Sequence, residues 1–204
     1  YNSIAKITLP KDYLRFKLTG ELIAEHSDAS GTALHEVAAW RWSESMLYAL
    51  DIPTDWVPPL AASTDIVGTV SRQAAHETGL TAGTPVMAGC GDNAASALGT
   101  GVVKNGSAVS ILGTSGVVLA NSDDHVLEPS ASIQTFCHAV SRKYTLSGVT
   151  LMAGGSLSWL CDTFFSEDKQ SAAQKGLNVY HGMDNMASRI SPGCGGLMYL
   201  PYLM

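Results

Sequence analysis

Two short stretches hold residue types that could do chemistry together. In Ala88-Gly89-Cys90-Gly91-Asp92-Asn93 a single carboxylate stands at the start of a small-residue run, and further on Gly113-Thr114-Ser115-Gly116 joins two β-branched runs. A carboxylate there can accept a proton. A glycine-bounded turn lets backbone amides and a threonine hydroxyl come close to a phosphate, because glycine adds no side chain to hold it off. A proton acceptor and a phosphate cradle on one chain suggest phosphoryl transfer to a hydroxyl. Each stretch also has a plainer reading. Asp92 can be a helix N-cap that accepts from the amides of Ala94 or Ala95, and the Thr-Ser turn can be a tight hairpin connection.

The elements that must position these groups are readable from spacing and breakers. Pro10 to Leu18 starts with proline, puts Tyr13, Leu14 and Leu18 at helical spacing and ends at Thr19-Gly20, which predicts a short helix. Ser27 to Thr32 is small and polar and predicts a loop. Leu34 to Leu50 predicts one or two helices, broken at Trp42-Ser43 with Ser43 capping the second and Asp51-Ile52-Pro53 ending it. Pro58-Pro59-Leu60 reads as a stiff connector. Residues 65–70 predict a strand, 71–79 a helix closed by Gly79, and 84–89 a buried strand leading to Asp92. Asn93 to Gly101 predicts a close-packing helix. Residues 107–112 and 117–120 predict a hairpin around Gly113-Thr114-Ser115-Gly116, and Ser132 to Ala139 and Arg142 to Val149 two more strands. Met152 to Phe165 predicts a helix with Leu157, Leu160 and Phe164 inward, Ser166 to Arg189 a polar helical or irregular segment, and Gly193 to Leu203 a buried strand.

Composition narrows the partners. The chain has 204 residues, 46% hydrophobic, enough to bury a sizeable core. A formal charge of −6 and no lysine or arginine cluster argue against a nucleic-acid or anionic-membrane surface, leaving small molecules as the expected partners. Cys90, Cys137, Cys161 and Cys194 show no C-x-x-C pairing and read as buried apolar thiols in a reducing compartment, with no metal role. No apolar run is long enough to span a bilayer, and a cytoplasmic location is the expectation. The opening at Tyr1 and the apolar ending Leu200-Pro201-Tyr202-Leu203-Met204 read as those of a piece of a longer protein.

Asp12-Tyr13-Leu14-Arg15, Leu18-Thr19-Gly20-Glu21, Ser27-Asp28-Ala29-Ser30-Gly31-Thr32, Gly91-Asp92-Asn93, Leu112-Gly113-Thr114-Ser115-Gly116, Thr135-Phe136-Cys137-His138-Ala139 and Leu200-Pro201-Tyr202-Leu203 follow one another in this order. The series resembles the carbohydrate kinases of the FGGY family, and within it the kinases of D-xylulose. The resemblance covers essentially the whole chain. It implies an α/β fold of actin/hexokinase-like, ribonuclease H-like domains, with residues 1–104 as the C-terminal part of the first domain and 105–204 as the beginning of the second. It also implies transfer of the γ-phosphate of ATP to D-xylulose, giving D-xylulose 5-phosphate, with ATP and Mg2+ as cofactors and most metal ligands outside this chain. Another sugar or polyol, such as ribulose, glycerol or gluconate, is the alternative acceptor. A non-catalytic actin-like nucleotide-binding module and an ATP hydrolase are alternatives of other classes. The resemblance puts the catalytic base on Asp92, sugar binding on Asp92 and Asn93, and phosphate binding on Gly113, Thr114, Ser115 and Gly116. Its nucleotide motifs are incomplete here, so this chain by itself is expected to be inactive. A homodimer is an admissible assembly.

Other candidates receive plainer readings. Asp28 reads as a local Asx-turn residue, with a place near the cleft as the alternative. His138, beside Phe136 and Cys137 in a strand-like run, reads as a hydrogen-bonded core histidine. Trp40, Trp42 and Trp56 read as packing residues, and Trp159 as packing or a flank of the nucleotide cleft. Cys90 occupies a place where the family pattern suggests glycine.

Overall fold

The computed structural model describes residues 3–130 and 132–203, so the readings made on Tyr1 and Met204 lie outside the described residues. The chain divides into two compact units, one of Tyr1–Val109 with Val118–Gly148, the other of Ser110–Val117 with Val149–Met204.

The first unit opens with α1 (Pro10–Thr19), which has proline in its first turn and Gly20 closing it in the left-handed region at φ 82°. Its polar side faces inward, against expectation: Asp12 and Arg15 are buried while Leu14 is 63% exposed. The reason is Arg15, whose guanidinium donates to Asp12 Oδ1 at 3.0 Å and to the carbonyls of Ile23 and Ala88. One buried fork therefore ties α1 to main chain at Ile23 and Ala88. Next come β1 (Ala24–Glu25), α2 (His26–Ala29) and a 3-10 turn at Ser30–Thr32. The loop expected over 27–32 is thus helical, because the Glu25 side chain caps it by accepting from the amides of Ser27 and Asp28.

Residues 34–42 correct a second expectation. They form a hairpin of β2 (His35–Glu36) and β3 (Arg41–Trp42), not a helix. The chain turns at Trp40, whose φ of 55° is incompatible with a continuing helix. The buried Trp40 ring packs with Cys137 and Tyr144, and its Nε1 donates to Tyr144 Oη at 3.1 Å. Then α3 (Glu44–Ala49) starts on the expected cap, Ser43 accepting from the Met46 amide.

After a 3-10 turn at Thr54–Trp56, β4 (Leu60–Ala61) pairs parallel with β1. β5 (Ile66–Thr69) and α4 (Arg72–Thr78) match the reading, with Ser71 capping α4 and Gly79 ending it at φ 77°. β6 (Pro85–Met87) pairs antiparallel with β5 but is not the buried strand expected; Pro85 and Met87 are exposed. α5 (Asp92–Gly99) buries Ala94 and Ala97. β7 (Ala108–Leu112), β8 (Gly116–Ser122), β9 (Gln134–Cys137) and β10 (Tyr144–Thr150) make a sheet of order β7-β8-β10-β9, in which Cys137 pairs with Tyr144 and Phe136 with Thr145.

The second unit contains α6 (Gly154–Phe164), α7 (Ser166–Gln174) and α8 (Val179–Ala187). α6 buries Cys161, whereas Leu157 and Phe164 are exposed, contrary to the inward placement expected of them. The buried strand expected over 193–203 is absent among the described residues. A 3-10 turn at Cys194–Gly196 precedes an irregular stretch in which Leu197 is 80% exposed. Its apolar composition was the only signal, and it finds no neighbouring strand to pair with among the described residues.

Candidate functional site

Asp92 stands at the first position of α5, with Gly91 as the N-cap. Its Oδ1 accepts from the next amide, Asn93 N, at 2.7 Å, and the amide of Ala95 donates to the Gly91 carbonyl. The capping geometry weighed in the sequence is therefore not the one adopted. The carboxylate and Asn93 are exposed on the rim of a cleft of about 230 Å3 in the first unit.

What holds the rim in place is a buried carboxylate that sequence reasoning did not single out. Glu25 is fully buried and accepts from four donors: Ser27 N at 2.7 Å, Ser27 Oγ at 2.8 Å, Asp28 N at 3.2 Å and Ser63 Oγ at 2.6 Å. Ser27 Oγ in turn accepts from Gly91 N at 3.0 Å. Glu25 and Ser27 thus fix the residue that immediately precedes Asp92. A side chain on Gly91 would meet Asp28 Cα and Oδ1 at 3.4 Å, so glycine there leaves α2 and the start of α5 in close contact.

Asp28 lines the same cleft, the alternative placement to its Asx-turn reading. Half-buried, it has its carboxyl pushed above the usual carboxylate range by burial. Lys11 at 3.7 Å works against that shift, and the charges of Asp12, Glu25 and Asp92 add to it. The far wall is Phe136, Cys137 and Thr145 from β9 and β10. It is attached to α2 through Cys137 N, which donates to Ser30 Oγ at 3.1 Å. Burial pushes the Cys137 thiol up to about 12 and also raises that of Cys90. Thus Cys137 and Cys161 are the buried thiols expected, Cys90 is half-buried, and Cys194 is exposed; all four are free.

His138 is the buried histidine anticipated: its Nε2 donates to the Val102 carbonyl at 3.1 Å and its Nδ1 accepts from Val140 N at 2.8 Å. An imidazole pair elsewhere was not anticipated. His26 Nδ1 and His35 Nε2 lie 3.1 Å apart, and burial, with His26 beside it, lowers His35 to about 4.

In the second unit, Gly113 and Thr114 are exposed and Ser115 is half-buried. The Gly113 amide donates to Ser115 O at 2.9 Å. The Gly113 and Thr114 carbonyls receive the amides of Ala153, Gly154 and Gly155 at 2.7 to 3.1 Å. A Cβ on Gly154 would lie 2.5 Å from Gly113 O, and one on Gly155 2.9 Å from Thr114 Cγ2. These two glycines let α6 reach the turn. A Cβ on Gly113 would meet nothing nearer than Ser115 O at 3.8 Å, leaving that face open to a ligand. Trp159 stacks on Tyr199 within this unit. Among the described residues, no group of three or more His, Cys, Asp or Glu could hold a metal ion, and no helix is long and apolar enough to cross a membrane.

Residues 1–99 match the N-terminal domain of the FGGY family of carbohydrate kinases. The chain is 36% identical over 203 residues to a xylulose kinase of Escherichia coli K12, covering all of this chain and 40% of that protein. It superimposes with a TM-score of 0.87 on a xylulose kinase of Rhodospirillum rubrum, 27% identical, over 98% of this chain and 39% of the other. With a gluconate kinase of Lactobacillus acidophilus the TM-score is 0.82 at 25% identity, over 95% and 37%. The chain therefore spans about 40% of the length of these relatives. The α/β architecture is that of their actin/hexokinase-like fold. Sequence and fold agree, and the chain belongs to the FGGY family of carbohydrate kinases.

Proposed function

We propose that the protein carrying this chain transfers the γ-phosphate of ATP to the terminal hydroxyl of D-xylulose, with Asp92 as general base. The observation that carries this reading is the Asp92 carboxylate itself, exposed on the rim of a cleft and fixed from behind through Gly91, Ser27 and Glu25. General-base assistance needs a carboxylate placed against the attacking hydroxyl, and is worth roughly 10²–10⁴ in rate. Asn93 at the same rim is placed to hydrogen-bond a sugar hydroxyl. The xylulose kinases among the relatives support the choice of acceptor. The gluconate kinase supports a second reading, a related polyol in the same cleft.

Gly113, Thr114, Ser115 and Gly116 are the segment we assign to the ATP phosphates, because the turn is glycine-bounded and exposed at Gly113 and Thr114. Bound there, ATP supplies the phosphoryl group, and Mg2+ spreads the negative charge of its phosphates. On this reading most of the residues that would hold Mg2+ lie outside this chain. We assign residues 1–104 to the end of a first domain and 105–204 to the opening of a second, consistent with a family match that stops at residue 99. A small-molecule partner and a cytoplasmic location complete the reading.

The test is Asp92→Asn in the protein carrying this chain, assayed with D-xylulose by coupled ADP detection. Turnover falls by roughly 10²–10⁴ while ATP affinity and melting temperature stay near wild type. Asn keeps a side-chain oxygen for the Asn93 amide and loses only the charge at the helix start, about 1 kcal/mol at most, so a merely structural Asp92 would leave turnover intact and sink the assignment.

A further inference from the structure

The wall of the Asp92 cleft opposite α5 holds an unexplained group. Thr145 lies on β10 with 2% of its surface exposed and lines the cleft, and its Oγ1 has no hydrogen-bond partner. A buried hydroxyl left alone is costly, and most such groups in native proteins are satisfied by something. Its strand neighbour Phe136 lines the same wall, giving the site an apolar face beside the hydroxyl. Across the cleft is Asp28, half-buried, with a carboxyl that Lys11 approaches at 3.7 Å. Among the described residues, no lysine, arginine or histidine lines the cleft. Two carboxylates, one of them paired with Lys11 from outside the lining, with a free hydroxyl and an aromatic face, suit a neutral, polyhydroxylated molecule: hydroxyls donate to the carboxylates and to Thr145 Oγ1 or accept from it, and C–H surface rests on Phe136. They do not suit a phosphate.

We infer that Asp28 and Thr145 form a second hydroxyl-binding subsite, which grips the part of the acceptor sugar remote from the hydroxyl facing Asp92. The inference rests on the cleft being the acceptor site proposed above, and it adds two residues to Asp92 and Asn93 in the binding of the sugar. Gly91 contributes by omission, since a side chain there would press on Asp28 Oδ1.

The experiment measures equilibrium binding of D-xylulose without nucleotide, together with melting temperature and sugar-dependent ATP turnover, on the protein carrying this chain. Thr145→Val replaces the orphaned hydroxyl by a methyl of the same shape. Sugar binding weakens about fivefold while the unliganded melting temperature holds or rises, a split that a structural threonine would not give. Thr145→Ser restores the hydroxyl and brings binding back to near wild type. Asp28→Asn weakens binding about tenfold or more, because a charged acceptor makes the stronger hydrogen bond, and leaves the Michaelis constant for ATP unchanged. Wild-type affinity in both Thr145→Val and Asp28→Asn overturns the subsite and leaves the kinase reading standing. Weakened binding in a protein that never phosphorylates the sugar upholds the subsite and overturns the kinase reading. A wild-type protein that neither binds nor phosphorylates D-xylulose overturns both.

Discussion

The Asp92 rim is held by side chains, whereas the Gly113–Gly116 turn is held by main chain. At the rim a buried carboxylate and three serine hydroxyls do the fastening, reaching from residues 25–30 and 63 to Gly91 and Cys137. At the turn three consecutive amides meet two carbonyls, and the absence of side chains on Gly154 and Gly155 is what lets them meet. The first arrangement fails when a polar atom is deleted, and the second when volume is added. That difference fixes which substitutions damage each region and, under the proposed function, predicts separate effects on the two substrates.

The largest effect is expected at Glu25. Glu25→Ala strips the acceptor from four donors at once, three of them in or next to α2. Breaking a buried network of this kind costs about 3–5 kcal/mol. Denaturant unfolding should show that loss, with Glu25→Gln intermediate because one oxygen still accepts. Ala and Gln variants both as stable as wild type would mean that the rim does not depend on its side chains.

Gly154→Ala comes next. The added methyl would lie 2.5 Å from a backbone oxygen, so the turn or the start of α6 must move, at a cost of about 1–3 kcal/mol. The Michaelis constant for ATP should rise and that for the sugar should not. An equal rise in both would break the division of labour between the two regions.

Thr114→Val has the smallest effect on stability, within about 0.5 kcal/mol, because the side chain is exposed. It sharpens the comparison by removing one polar atom from the region held by main chain. The ATP Michaelis constant alone should increase in steady-state assays; no change would reduce the stretch to a plain hairpin turn.

Local signals were legible in the sequence. Ser43 and Ser71 cap helices, Gly20 and Gly79 end them, and the hairpin around Gly113-Thr114-Ser115-Gly116 forms as its β-branched flanks predict. What failed depended on partners far along the chain. Val37, Ala38 and Trp42 read as helix, yet Trp40 is held in a hairpin by Tyr144, 104 residues away. Arg15 and Asp12 turn α1 polar-side-in through carbonyls that no periodicity reveals. In the site, Asp92 and Asn93 were legible as an acidic helix start. Glu25 was not: a lone glutamate next to His26 gives no hint that four donors converge on it. Asp28 looked like turn chemistry because its neighbours Ser27 and Ser30 do belong to a tight local turn, while its carboxylate reaches a cleft completed by β9 and β10. The Ser27-Asp28-Ala29-Ser30 stretch, placed ahead of a glycine, was the available signal.

A cleft rimmed by Asp28, paired with Lys11, and by Asp92, with no cation in its lining among the described residues, also bears on how a catalytic cycle would end. The neutral acceptor meets no net repulsion on entry. Once phosphorylated it carries nearly two negative charges, which the same carboxylates oppose in a site partly shielded from water. Under the proposed chemistry, the field that tolerates the substrate therefore disfavours the product, and release is driven by the charge that the reaction itself creates.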